Sequence, residues 1–135
     1  MTRRKRRSKL IPSELLVHKV SEFALSKKAG DIHILDVRQQ TTITDFFIIC
    51  SGSTDIHVEA ILDAILEGLE PETKPWHVEG RGAFYWVLID YVDVVVHIFQ
   101  QEARDFYQLE RLWADAEMEV IEDKPEALSN NTSNN

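Results

Sequence analysis

The sequence predicts an α/β domain built on a mixed sheet of about five strands with flanking helices. Two observations carry this. The apolar residues switch repeatedly between helical and alternating spacing, in the order α, β, β, α, β, β, β, α. The chain has 135 residues, of which 44% are hydrophobic, enough for one compact core and little for a second. One domain is therefore expected over residues 13–120, between a basic flexible arm (1–12) and a disordered polar tail (121–135).

Pro12 and Ser13 open the first helix, expected over 13–29, with Leu16, Val20, Phe23 and Ala24 on one face and Gly30 placed to close it. "DIHILDV" (31–37) alternates imperfectly, and "DFFIICS" (45–51) is a short apolar run of strand formers, so both read as strands. Gly52 and Ser53 lead into a second helix, about 54–69. Its two apolar rows (Ile61, Ala64, Ile65, Leu69 and Val58, Leu62, Leu66) predict that it is mostly buried. The prolines of "EPETKP" break that pattern. Three strand candidates follow, "PWHVEG", "FYWVLID" and "VDVVVHIF", and then a helix from Gln101 with Phe106, Leu109 and Trp113 on one face. Beyond Glu122 the composition is too polar to bury much surface.

Charge is unevenly spread. The net charge of −8 includes six basic residues within 1–10 (Arg3, Arg4, Lys5, Arg6, Arg7, Lys9), leaving 9 basic residues against 23 acidic ones elsewhere. An acidic body argues against broad nucleic-acid binding by the folded domain and favours a basic protein partner. For the arm two readings stand, a solvated disordered segment or one in transient contact with RNA phosphates. The single cysteine, Cys50, permits no intrachain disulfide and lies in an apolar run, where a buried inert thiol is expected. No apolar run approaches the roughly 20 residues needed to span a bilayer, and no signal-peptide pattern appears. A cytoplasmic chain without membrane contact is the expectation, and self-association is left open.

The stretch "WVLIDYVDVVVHIF" (86–99) reads as a hairpin. With Tyr91 and Val92 central, Asp90 would face Asp93, Leu88 would face Val95, and Trp86 would face His97. One hairpin face is then aliphatic almost throughout (Tyr85, Val87, Ile89, Val94, Val96, Ile98) and suits the helices. The other mixes aromatics, carboxylates and an imidazole, which predicts partial cover. Asp90 and Asp93 suit acceptors for turn amides, His97 a hydrogen-bonded ring rather than a metal ligand, and Trp86 either core or anchor. "SGS" between a strand and a helix, with paired aspartates later, resembles the nucleotidyltransferase layout. That chemistry needs three carboxylates on one face to hold two Mg²⁺ ions. Asp90 and Asp93 flank a turn and no third acid joins them, so no catalytic residue, metal or cofactor is expected.

"TDFFIICSGST" (44–54), "VEG" (78–80), "WVLIDYVDVVVHIF" and "RDFYQLERLWADA" (104–116) together resemble the ribosomal silencing factor family, also called Iojap-like. The resemblance covers roughly 13–116, and the four linked motifs make it specific. It implies a nucleotidyltransferase-like fold lacking the catalytic site, and a binding protein rather than an enzyme. Such a protein would bind the large ribosomal subunit through ribosomal protein L-fourteen, block joining of the subunits and repress translation; a role in large-subunit assembly is also implied. Carried over by position, the partner-binding surface would include Trp86, Asp90 and Tyr91 of the hairpin and Arg104, Tyr107, Leu109, Glu110, Leu112 and Trp113 of the last helix. Asp93 would serve as a rim acid and His97 as the support of Trp86. The family usually has Gly after the tyrosine of the turn; this chain has Val92, for which positive φ is costly, so a different turn is expected there.

Overall fold

A computed structural model describes residues 11–123 of the chain. Most of the expected arm and tail lies outside them. Ile11, at the inner end of the arm, is buried in the core. The elements run α1 (Ser13–Ser26), β1 (Gly30–Asp36), β2 (Phe46–Gly52), α2 (Asp55–Leu69), β3 (His77–Glu79), β4 (Trp86–Asp90), β5 (Val94–Gln100), α3 (Gln101–Tyr107), α4 (Leu109–Leu112) and β6 (Glu117–Ile121). Among the described residues the sheet has six strands, in the order β3-β4-β5-β2-β1-β6. It is mixed, with β2 and β5 parallel at its centre and antiparallel neighbours outside them.

Three differences from the sequence reading have physical causes. First, α1 ends at Ser26 rather than at Gly30. Lys28 takes the left-handed conformation (φ 59°), and Ala29 N–H returns to Ala24 C=O, so Gly30 is free to begin β1. Second, a sixth strand forms where only the end of a helix and the start of a tail were expected. Its burial is slight and its pairing with β1 is complete, from Ile32↔Ile121 to Asp36↔Glu117. Third, the expected single last helix is two. Gln108 sits in the left-handed region (φ 48°, ψ 53°), ending α3 and redirecting the chain into α4.

The hairpin is also displaced in register. Trp86 faces Phe99, Leu88 faces His97 and Asp90 faces Val95, two residues from the expected pairs. A shift of two preserves the faces, so Trp86, Leu88, His97 and Phe99 still share one side. The turn explains the shift, since its centre is Val92 and Asp93 rather than Tyr91 and Val92. Tyr91 N–H donates to Val94 C=O at 2.9 Å, and Asp93 N–H donates to Tyr91 C=O at 2.9 Å across Val92, whose φ is 74°. That conformation costs a β-branched residue about 1–2 kcal/mol. The Asp90 carboxylate, accepting the Val92 N–H at 2.7 Å, offsets part of this, and the buried Val92 side chain offsets more.

The helices divide the sheet's two faces unequally. α1 and α2 cover one face with a core that includes Val17, Val20, Ile61, Leu62 and Ile65 against Ile48, Val87, Ile89, Val96 and Ile98. Among the described residues, the other face has only α3 and α4 over a smaller cluster of Leu35, Val37, Ile49, Phe99 and Ala103, with Phe47, Trp86, Leu109 and Trp113 packed at its margin. Among the described residues, no helix is long and apolar enough to cross a membrane.

Candidate partner-binding surface

The thinly covered face carries the chemistry. Alternation along β4 and β5 puts Trp86, His97 and Phe99 on it, and α3 leans Tyr107 over them. The Trp86 ring stacks on Phe99 at 4.8 Å between centroids and meets Tyr107 at 4.7 Å; Phe106 then meets Tyr107 edge-on at 5.0 Å. On the other flank Phe47 bridges His97 (5.5 Å) and Trp113 (5.0 Å). Half of this aromatic chain is inside, and its far end is in water. Phe106 and Leu112 are 77% and 76% exposed and Tyr107 45%. Large apolar side chains so exposed on a half-covered sheet face are the usual mark of a docking surface.

His97 holds Trp86 in place. The indole Nε1–H donates to His97 Nδ1 at 3.1 Å, which requires that nitrogen to be unprotonated. Burial pushes the His97 pKa down to about 4, outweighing the pull of Glu110, so the ring is neutral at pH 7 and suits that acceptor role. Gly80 fixes Trp86 from the backbone side. It has a φ of 96°, and a Cβ there would lie 2.1 Å from the Trp86 carbonyl oxygen, so only glycine lets the β3–β4 connection pack this closely.

A buried polar network fixes the α3–α4 corner. The Arg104 guanidinium donates to Ser51 Oγ at 2.8 Å and to the Glu110 carboxylate, and its Nη2 lies 3.1 Å from His33 Nδ1. His33 Nδ1 in turn lies 3.0 Å from Glu110 Oε2. Burial raises the Glu110 pKa, but the Arg104 hydrogen bond and charge outweigh it and hold the carboxyl below its usual value. The network ties α3 and α4 to β1 and β2, and so sets where Tyr107 and Leu112 stand.

The sequence-selected residues thus fall into three groups. Trp86, His97 and Tyr107 meet in one ring cluster, with Leu109 and Trp113 at the margin of the apolar cluster beneath. Arg104 and Glu110 form an ion pair in which Arg104 is buried. Asp90, Tyr91 and Asp93 stand apart at the hairpin turn and are buried, so the expected rim position of the two acids is not what the structure shows. The turn draws them inward: Asp90 accepts from Val92, Asp93 C=O accepts from the amides of Asp45 and Phe46, and Tyr91 packs into the α1–α2 core. Cys50 is buried, its thiol pushed up to about 12 by that burial.

The partner-binding residues expected from the sequence did not include His33, Ser51 or Phe106. His33 breaks an apolar run between Ile32 and Ile34 and points to the side opposite them, which was a usable signal. Phe106 had been assigned to a helix face that does not exist, because α3 ends one residue later. Among the described residues, no group of three or more His, Cys, Asp or Glu side chains could hold a metal ion.

Comparison with known proteins gives a consistent result. The family model "ribosomal silencing factor during starvation" matches residues 11–135. The chain is 40% identical over 91 residues to the ribosomal silencing factor RsfS of Bacillus subtilis, covering 67% of this chain and 77% of that protein. It is 37% identical over 100 residues to the protein of the same name from Haemophilus influenzae, covering 73% and 98%. A mouse protein named for mitochondrial assembly of the ribosomal large subunit is 31% identical over 91 residues, covering 64% of this chain and 40% of that one. Among solved structures, a Chromobacterium violaceum protein superposes with a TM-score of 0.75 at 28% identity, covering 77% of this chain and 88% of the other.

Proposed function

This chain belongs to the ribosomal silencing factor family, and we propose that it binds the large ribosomal subunit through ribosomal protein L-fourteen, sterically blocks subunit joining and so represses translation in the cytoplasm. Membership of the family implies ribosome-associated regulation or assembly. The narrower reading rests on one observation, the exposed Phe106, Tyr107 and Leu112 carried by α3 and α4 over the half-covered sheet face. Tyr and Phe in such a row supply large contact area at small entropic cost, and a few anchors carry most of an interface. Trp86 is the anchor nearest the core, oriented by His97 and Tyr107. The Asp90 carboxylate and the Asp93 backbone serve the turn, and the scaffold is read as nucleotidyltransferase-like without catalysis.

A second reading, assistance in assembling the large subunit, is favoured by the name of the mouse relative. Both use the same surface. Peripheral contact of the basic arm with ribosomal RNA belongs with either, although residues 1–10 lie outside the described part.

Adding the purified chain in excess to separated ribosomal subunits is expected to lower the yield of joined ribosomes in a sedimentation gradient. Phe106→Ser, which changes a side chain in water, is expected to restore joining without altering thermal unfolding. Undiminished joining at saturating protein would remove the silencing reading and leave assembly, which co-sedimentation with immature large-subunit particles would then report.

A further inference from the structure

Among the described residues β6 ends the sheet, and a groove flanks it on each face. On the helix side a cavity of about 490 Å³ lies between α1 and β6, with Leu15, Ile34 and Phe46 as apolar lining. Its charged lining is Glu14, Asp36, Glu117 and Glu119 against Arg38 and His18. On the opposite side a cavity of about 230 Å³ is lined mainly by apolar side chains, Leu35, Trp113, Ala116 and Met118, with Glu110 and Arg111 also on it. The side chains of β6 divide between them. Glu119 Oε1 lies 3.0 Å from His18 Nε2 of α1, so the glutamates point to the helix side. Met118 pairs with Leu35 of the other cluster, so Met118 and Val120, each about half exposed, point the opposite way.

We propose that the outer edge of β6 takes up, as a seventh strand, an extended segment of a partner protein in which lysine or arginine alternates with apolar residues. An open strand edge supplies main-chain hydrogen bonds to any extended chain; the side-chain pockets decide which chain. Alternation sends every second side chain of an added strand into each groove. One groove is acidic even after Arg38 has engaged Glu14 and Asp36, and the other is mainly apolar, with Glu110 and Arg111 as its charged residues. A strand with basic residues toward Glu117 and Glu119 and apolar ones toward Met118 and Trp113 satisfies both. A second copy does not, because antiparallel pairing of β6 with itself about its centre sets Glu119 against Glu119. This edge is separate from the Phe106–Tyr107 row, and the inference does not depend on which ribosomal protein that row meets.

The test uses the full chain and three synthetic hexapeptides: alternating Lys-Val, the same residues in two blocks, and alternating Glu-Val. The alternating Lys-Val peptide is expected to bind saturably, to protect amides of residues 117–121 from hydrogen exchange, and to bind several-fold more weakly in high salt. Glu117→Gln with Glu119→Gln, which leaves the strand residues otherwise intact, is expected to weaken it several-fold while far-ultraviolet circular dichroism stays unchanged. Equal binding of the block peptide, protection elsewhere in the chain, or no saturable binding overturns the proposal. So does binding that appears only after deletion of residues 1–10, which would make the arm the occupant. A concentration-dependent dimer abolished by Val120→Pro overturns it in favour of a second copy.

Discussion

Arg104→Ala is expected to lower the free energy of unfolding by about 3 kcal/mol, the size typical of removing one partner from a buried charge pair. The guanidinium side chain is 7% exposed and that of Glu110 24%, so water replaces little of what the substitution removes. Glu110 would lose its strongest partner, Ser51 Oγ a donor, and the α3–α4 corner its tie to β1 and β2. Arg104→Lys keeps the charge but lacks the fork that reaches Ser51 and Glu110 together, so it should recover only part of the loss. Urea unfolding measures both, and subunit binding should fall with them as Tyr107 and Leu112 lose their fixed position. An alanine variant as stable as the parent would show that the network does not hold the corner.

Acid is expected to remove a comparable amount of stability through His97. Its pKa falls from 6.5 in the unfolded chain to about 4 in the fold, so between those values the unfolded state binds more protons. Stability from the neutral ring is therefore complete above pH 6.5 and is lost progressively as the pH falls to 4, a change of about 3 kcal/mol. Protonation would also oblige Trp86 to give up its acceptor, so indole fluorescence should change over the same window. Glu110 acts in the same direction at lower pH, since its depressed pKa makes its contribution fade as the pH drops through the folded value. His97→Gln retains an acceptor for the indole and cannot titrate, so its stability should be nearly flat from pH 6.5 to 4. A parent chain equally flat there would contradict the assignment.

Much of the fold was legible because its signals are local. The aliphatic face of β4 and β5, the two apolar rows of α2 and the run "FFIIC" each announce an element without reference to anything distant. β6 gave no such signal. "EMEVI" is short, half charged and almost wholly exposed, and it is a strand because β1 offers an edge, a relation between residues some 85 apart in sequence. The hairpin shows the same division. Its two faces followed from alternation, but its register depended on one residue, Val92, accepting a positive φ with help from Asp90.

The site was legible in part for a related reason. Trp86, His97 and Tyr107 stood in motifs, and the structure brings their rings together. Motif membership did not distinguish residues that form the surface from those that shape it from below. Arg104 and Glu110 fix the corner, Asp90 and Asp93 serve the turn, and Phe106, which lies in the motif but was not among the carried-over binding positions, is the most exposed aromatic of the group. Burial is a property of the assembled fold, and a pattern of residue types does not contain it.

The central claim is that the row containing Phe106 and Tyr107 meets one protein of the large ribosomal subunit. A photoreactive phenylalanine analogue placed at Phe106, irradiated with the chain bound to large subunits, tests it most directly. The account predicts a crosslink to ribosomal protein L-fourteen, suppressed by excess unmodified chain. Bound protein that crosslinks to a different ribosomal protein, to RNA alone, or to nothing would contradict it.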